Sequence, residues 1–289
     1  MIQLANISEE IKTGKGVGLG FLDFDGSLVA KISSLIPQER EQDVVHFSPE
    51  NQHDTSHTGS FHPKYINAFG PESYKERCFM AEFYLRLLSW MFDQKDTGIV
   101  GPRGLKLWEN AIYAAMSMNK GNLNEAVLLN SYDILEQEKL DSMLSLIQDK
   151  SAKQYWQEKA EELKKPPKWF VNTTLNYIGS KLKKLFGLLK EPTLLTNLFS
   201  VYDPSLDFDW IIENRYILLA DLSILKDSKE SQILVGSIIA LQAFLSSQRQ
   251  DKEKIILYTK HLDYLEPNLL KAIEEDKEKR LLVLPADQK

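Results

Sequence analysis

The run Val17-Gly18-Leu19-Gly20-Phe21-Leu22 carries no polar side chain and stops abruptly at Asp23-Phe24-Asp25-Gly26-Ser27. Six such residues are too few for a stable helix, and they lack the alternation of a half-solvated strand. They read as a buried strand whose carboxyl end delivers two acids, a glycine and a hydroxyl into a tight turn. In open α/β sheets, ligands collect in the crevice outside such strand ends. This turn is therefore the first place to look for chemistry.

The flanking sequence extends the same architecture. Residues 3–13 read as a short helix stopped at Gly14. Gly14-Lys15-Gly16 superficially resembles a phosphate loop, but no glycine stands five residues before Gly-Lys, Gly16 replaces the following Ser or Thr, and a strand comes next. After the first strand, a helix-like step over Val29 to Leu35 ends at Pro37, and Gln38 to Asp43 is a polar turn. Asp43-Val44-Val45-His46-Phe47 is a second strand, closed by Ser48-Pro49. A strand, a crossover and a strand predict parallel pairing.

Between 72 and 200 the pattern changes. Apolar residues recur at helical spacing over Tyr74–Phe92, Leu105–Met118, Leu123–Leu129, Ile134–Ile147, Ala152–Leu163 and Val171–Leu189. Trp90, Trp108, Trp156 and Trp169 in this block read as core rather than as a platform for bases. From 206 the α/β pattern returns. It gives a strand over Arg215–Ser223, a helix over Glu230–Arg249, a strand over Lys254–Thr259, a helix over Glu266–Lys279 and a strand over Arg280–Ala286. The expected fold class is α/β, with a parallel-sheet core over residues 1–68 and 206–289 and an all-helical domain over 69–205.

Composition bounds the function. Hydrophobic residues make up 43% of the 289 residues, which supports a sizeable core. A net charge of -6, from 35 basic and 41 acidic residues, argues against a free-standing nucleic-acid clamp. It leaves room for a local basic face, where Lys181, Lys183 and Lys184 are the DNA-contact candidates; a solvated helix face is the ordinary reading. The single cysteine, Cys78, excludes a disulfide framework and points to a reducing cytoplasmic compartment. No apolar run is long enough to cross a bilayer and no signal peptide opens the chain, so any contact with the inner membrane is expected to be peripheral and through a partner. His53, His57 and His62, with Asp54, are spaced like metal ligands, but no cysteine or second histidine cluster completes a site. An exposed polar loop is their ordinary reading.

Two resemblances bear on the opening strand. Leu22-Asp23-Phe24-Asp25-Gly26-Ser27-Leu28 resembles the first motif of haloacid-dehalogenase-type phosphatases, Asp-x-Asp-Gly-Thr/Ser. It implies Asp23 as nucleophile, Asp25 as general acid/base and Mg²⁺ screening the phosphate. The remaining motifs are incomplete. The last strand leads to a single acid, Asp287, and Thr259-Lys260 runs two middle motifs together.

The second resemblance spans nearly the whole chain. Leu22-Asp23-x-x-Gly26-x-Leu28, then Leu35-Ile36-Pro37-Gln38-Glu39-Arg40-x-x-Asp43-Val44-Val45-x-Phe47-x-Pro49, is similar to the TraG/TraD-type conjugative DNA-transfer ATPases, the coupling proteins of type IV secretion. Asn67, Tyr155-Trp156, Ser180-Lys181-Leu182, Leu206-Asp207-Phe208 and Tyr216-Ile217-Leu218-Leu219 follow in that family's order. The resemblance implies a RecA-like P-loop ATPase core with an inserted helical domain, working in hexamers on single-stranded DNA.

The departures are functional. No Gly-x-x-x-x-Gly-Lys-Ser/Thr occurs, and the strand Ile255-Ile256-Leu257-Tyr258 ends in Thr259-Lys260 where that family has an Asp-Glu pair. Losing both removes positioning and charge neutralisation, of which phosphoryl transfer largely consists. The expectation is a pseudo-ATPase, or a fragment whose P-loop portion lies upstream, acting as a structural or partner-binding subunit. Asp23, Gly26, Thr259, Lys260 and Gln288 are then nucleotide-site remnants. No cofactor is expected unless a partner completes the site for ATP and Mg²⁺. The expected partners are a homo- or hetero-oligomer with an ATPase or secretion/transfer machinery, with DNA allowed. The phosphatase and a helical protein-interaction module are the alternatives.

Overall fold

The structure, a computed structural model, describes residues 11–12, 17–49, 74–92, 102–118, 127–163, 206–249 and 254–286, and positions 177, 180, 181, 183, 195 and 198. The chain divides into two compact units, residues 1–66 with 203–289, and residues 67–202.

The first unit is an α/β layer around a five-stranded sheet, all parallel, in the order β2-β3-β1-β4-β5. The strands are β1 (Val17–Asp23), β2 (Val44–Phe47), β3 (Ile217–Asp221), β4 (Lys254–Thr259) and β5 (Leu281–Pro285). The uninterrupted apolar run takes the central place. β1 is flanked by β3, with Asp23 opposite Asp221, and by β4, with Leu22 opposite Thr259. A strand covered on both faces cannot alternate with polar residues, which is why its sequence does not.

Helix α1 (Ser27–Ser33) joins β1 to β2 and packs on β1 and β3. Leu28 and Ile32 of α1 meet Leu19, Phe21, Ile217 and Leu219 in one core cluster, and Phe21 stacks on Tyr258 at 5.3 Å. The strand order reverses at β1: the connection leaving β1 runs towards β2, whereas those from β3 and β4 run the other way. Right-handed crossovers put their helices on opposite faces of the sheet.

The polar turn before β2 is a 3-10 segment, Gln38–Asp43, organised by Arg40. Its guanidinium pairs with Asp43 at 2.9 Å and donates to the carbonyls of Ile11 at 3.1 Å and Arg215 at 2.9 Å. The Arg40-x-x-Asp43 spacing is thus a clasp between three segments, a task for a planar fork of donors.

Several boundaries differ from the sequence reading. The stretch ahead of β3 is a helix, α7 (Phe208–Glu213), because Asp207 caps it by accepting the Trp210 N–H at 3.0 Å. β3 is shorter than Arg215–Ser223 because Arg215 turns with φ 58. The long apolar segment is α8 (Lys229–Arg249), buried nearly all round and anchored at its end by Arg249 to Asp209 at 2.9 Å. Helix α9 (Pro267–Glu275) stops short of Lys279, where Asp276 accepts the N–H of Arg280 at 3.3 Å and Lys279 adopts φ 48.

β5 is bonded along one side to β4, through Ile255 N–H to the Arg280 carbonyl at 3.0 Å and Ala286 N–H to the Thr259 carbonyl at 2.8 Å. That alternation turns the nitrogen of Pro285 away from β4, where a missing N–H costs the ladder nothing.

The described part of the second unit is helical apart from an isolated antiparallel bridge, Met118 to Ile147. Its helices are α2 (Tyr74–Phe92), α3 (Pro102–Met116), α4 (Val127–Leu135), α5 (Gln137–Leu146) and α6 (Lys150–Leu163). The single helix expected over Ile134–Ile147 is broken at Glu136, whose backbone is extended (φ -85, ψ 115). Lys139 folds back there onto Asp133 and Glu136. Trp108 and Trp156 are buried, and Trp156 Nε1 donates to the Asn110 carbonyl at 3.2 Å. Trp169 lies outside the described residues. Asp149 caps α6 through the Ala152 N–H at 2.9 Å and also accepts the Tyr113 hydroxyl at 3.3 Å, tying α3 to the cap.

Among the described residues no helix is long and apolar enough to cross a membrane. The buried side-chain atoms there without a hydrogen-bond partner all belong to the helical unit: Arg86 Nε, Ser89 Oγ, Trp108 Nε1 and both amide atoms of Asn130. An unsatisfied buried polar group costs about 1–3 kcal/mol. Asn130→Leu, similar in volume and without polar atoms, is therefore expected to raise the unfolding midpoint in urea, by up to that amount in stability. A lowered midpoint with an unchanged denaturant slope would show that the amide has a partner after all.

Candidate functional site

The carboxyl edge of the sheet brings together the ends of β1, β3 and β4, and with them Asp23, Gly26, Thr259 and Lys260. Asp23 is 1% exposed. Its Oδ1 accepts the N–H groups of Asp25 at 3.2 Å and Gly26 at 3.0 Å, and its Oδ2 accepts the N–H of Val29 at 2.7 Å. One carboxylate thus ties strand, turn and first helical turn together. Burial pushes its pKa up; the bonds from Val29 and Asp25 pull against that, and the neighbouring Asp25 charge adds to the rise. Gly26 makes the turn possible, with φ 82 and the Ser223 hydroxyl 3.3 Å from where a Cβ would stand.

Asp25 is half-exposed, and its carboxyl interacts with that of Asp23. Its Oδ1 accepts the Ser27 hydroxyl at 2.5 Å and the Ser27 N–H at 2.9 Å. Lys260, from the end of β4, donates to the Ser27 hydroxyl and lies 3.7 Å from Asp25 Oδ2. The Ser27 hydroxyl, before its backbone N–H and the Lys260 charge, holds Asp25 down at about 2 against the pull of burial. Thr259, fully buried, accepts the His261 N–H at 3.2 Å and shapes the turn carrying Lys260.

Two residues of α8 fix this edge. Gln232 of α8, 3% exposed, donates its amide to the Phe24 carbonyl at 2.7 Å and the Leu222 carbonyl at 3.1 Å, stapling the β1 and β3 turns. Gly236, one turn on, lets Phe24 lie against α8: a Cβ there would stand 2.6 Å and 2.8 Å from Phe24 ring atoms. A buried glutamine one turn before a glycine in an apolar helix was the signal available. Phe24 also meets Tyr264 and His261 edge-on at 5.0 Å and 6.1 Å, and Lys229 lies 4.7 Å over the Tyr264 ring.

The donor set does not fit a Mg²⁺–nucleotide. An ammonium, Lys260, stands at the end of β4 where carboxylates would be needed, and the oxygens of Asp23 already accept three backbone N–H groups. Asp23, 1% exposed and accepting three backbone N–H groups, is sunk in the turn rather than open to a phosphoester. Among the described residues no group of three or more His, Cys, Asp or Glu is placed to hold a metal ion.

The other predicted positions fall elsewhere. Lys183 pairs with Glu136 at 2.6 Å, and Lys181 lies 5.5 Å over the Tyr177 ring, so both have partners within the helical unit. Lys184, Gln288, His53, His57 and His62 lie outside the described residues. Compared with known proteins, the chain matches no family model and no curated protein.

Two outcomes follow. Gly236→Ala forces Phe24 aside, an overpacking cost of about 1–3 kcal/mol set against a helix-propensity gain of at most about 1 kcal/mol. The thermal midpoint is expected to fall; an unchanged or higher one would mean that Phe24 yields freely. The second concerns pH. Asp25 folds with a pKa of about 2, below its ordinary 3.8. Its stabilisation is therefore complete above about pH 4 and is lost as the pH falls through about 2. Asp23, shifted upward, acts in the opposite sense, favouring the fold most below 3.8 and least once pH exceeds its folded value. The stability gap between the unaltered chain and Asp25→Asn is expected to narrow across that acid window, measured by denaturant melts at successive pH. A gap constant with pH would contradict the arrangement.

Proposed function

We propose that this chain is a non-catalytic relative of the conjugative coupling ATPases, serving as a structural or partner-binding subunit in DNA transfer or a related translocation assembly. In this reading the five-stranded parallel sheet is a RecA-like core and residues 67–202, which fall between β2 and β3 in sequence, form its helical insertion. One observation supports the non-catalytic part: beside the point where the strand order reverses, the polar groups of the chain are bonded to one another. Lys260 donates to Ser27 between the β1 and β4 turns, and Ser27 donates to Asp25. A phosphoryl-transfer site needs a metal and donors that converge on a phosphate.

The reading is tested on the purified chain. No binding of ATP with Mg²⁺ above background is expected, and no hydrolysis of a generic phosphoester. Asp23→Asn is expected to lower stability by about 1–3 kcal/mol, since an amide nitrogen in place of Oδ2 leaves the Val29 N–H without its acceptor. Nucleotide binding, or phosphoester hydrolysis abolished in a folded Asp23→Asn variant, would overturn the proposal. For the DNA-transfer role, salt-sensitive binding to single-stranded DNA is expected, weakened when Lys181, Lys183 and Lys184 are changed together to alanine. Failure to bind at low salt would favour a protein-interaction module.

A further inference from the structure

We draw no further inference here: the strongest candidate, the Asp25–Ser27–Lys260 side-chain cluster joining the ends of β1 and β4, belongs to the site already described and its three groups are bonded to one another, so it points to no ligand, partner or reaction of its own.

Discussion

The carboxylate of Asp23 holds the α/β unit's central turn. A strand leaving the middle of a sheet must reverse within a few residues to start the helix that covers it, and the backbone N–H groups of that reversal have no strand or helix to pair with. Asp23 answers three of them at once, from residues 25, 26 and 29. With the turn fixed, Leu28 and Ile32 enter the core against Phe21 and Leu219, and the path to β2 is set. The position of Ser27, and so of its bond to Lys260, follows from the same turn.

The electrostatics of the edge divide accordingly. Asp23 is a buried acid made tolerable by backbone donors, and burial still raises its pKa. Asp25, two residues on, is half-exposed and held ionised by a hydroxyl, an N–H and an ammonium. Adjacent acids with pKa values pushed apart often mark an acid/base pair. Here both environments are accounted for by contacts that the fold requires: the deeper acid ties the turn together, and the outer one joins a bridge to the neighbouring strand. A perturbed carboxyl does not by itself mark a functional site, because structural hydrogen-bond networks shift pKa values as well.

Much of the α/β unit was legible because its signals are local. β4 matches its expected strand end to end, β5 lies within its own, and β1 covers its apolar run and ends on Asp23. What was hidden depends on contacts distant in sequence or on single residues overriding a pattern. Asp207 turned an apolar segment into a helix by capping it, and Arg215 cut β3 short with a left-handed backbone. Gln232 reads as an ordinary helix residue until α8 is laid against two strand ends more than two hundred residues and ten residues away. The partners of the basic residues were hidden as well. Lysine spacing marks a helix face, but it cannot show that Lys183 pairs with Glu136.

The turn also explains why one short segment resembles two families with different chemistry. Asp23-x-x-Gly26-x-Leu28 contains an acceptor for the turn's N–H groups, a glycine in the left-handed region and an apolar residue that seats the helix. Each is demanded by the geometry of strand, turn and helix, whatever happens beyond the turn. The residues that would separate the chemistries lie on other strands, above all at the end of β4, where a metal or a phosphate would need its charge matched. There Thr259 is buried in its own turn and Lys260 closes onto Ser27. The resemblance to two families therefore lies in a turn that folding alone requires, and it carries no information about the groups on β4.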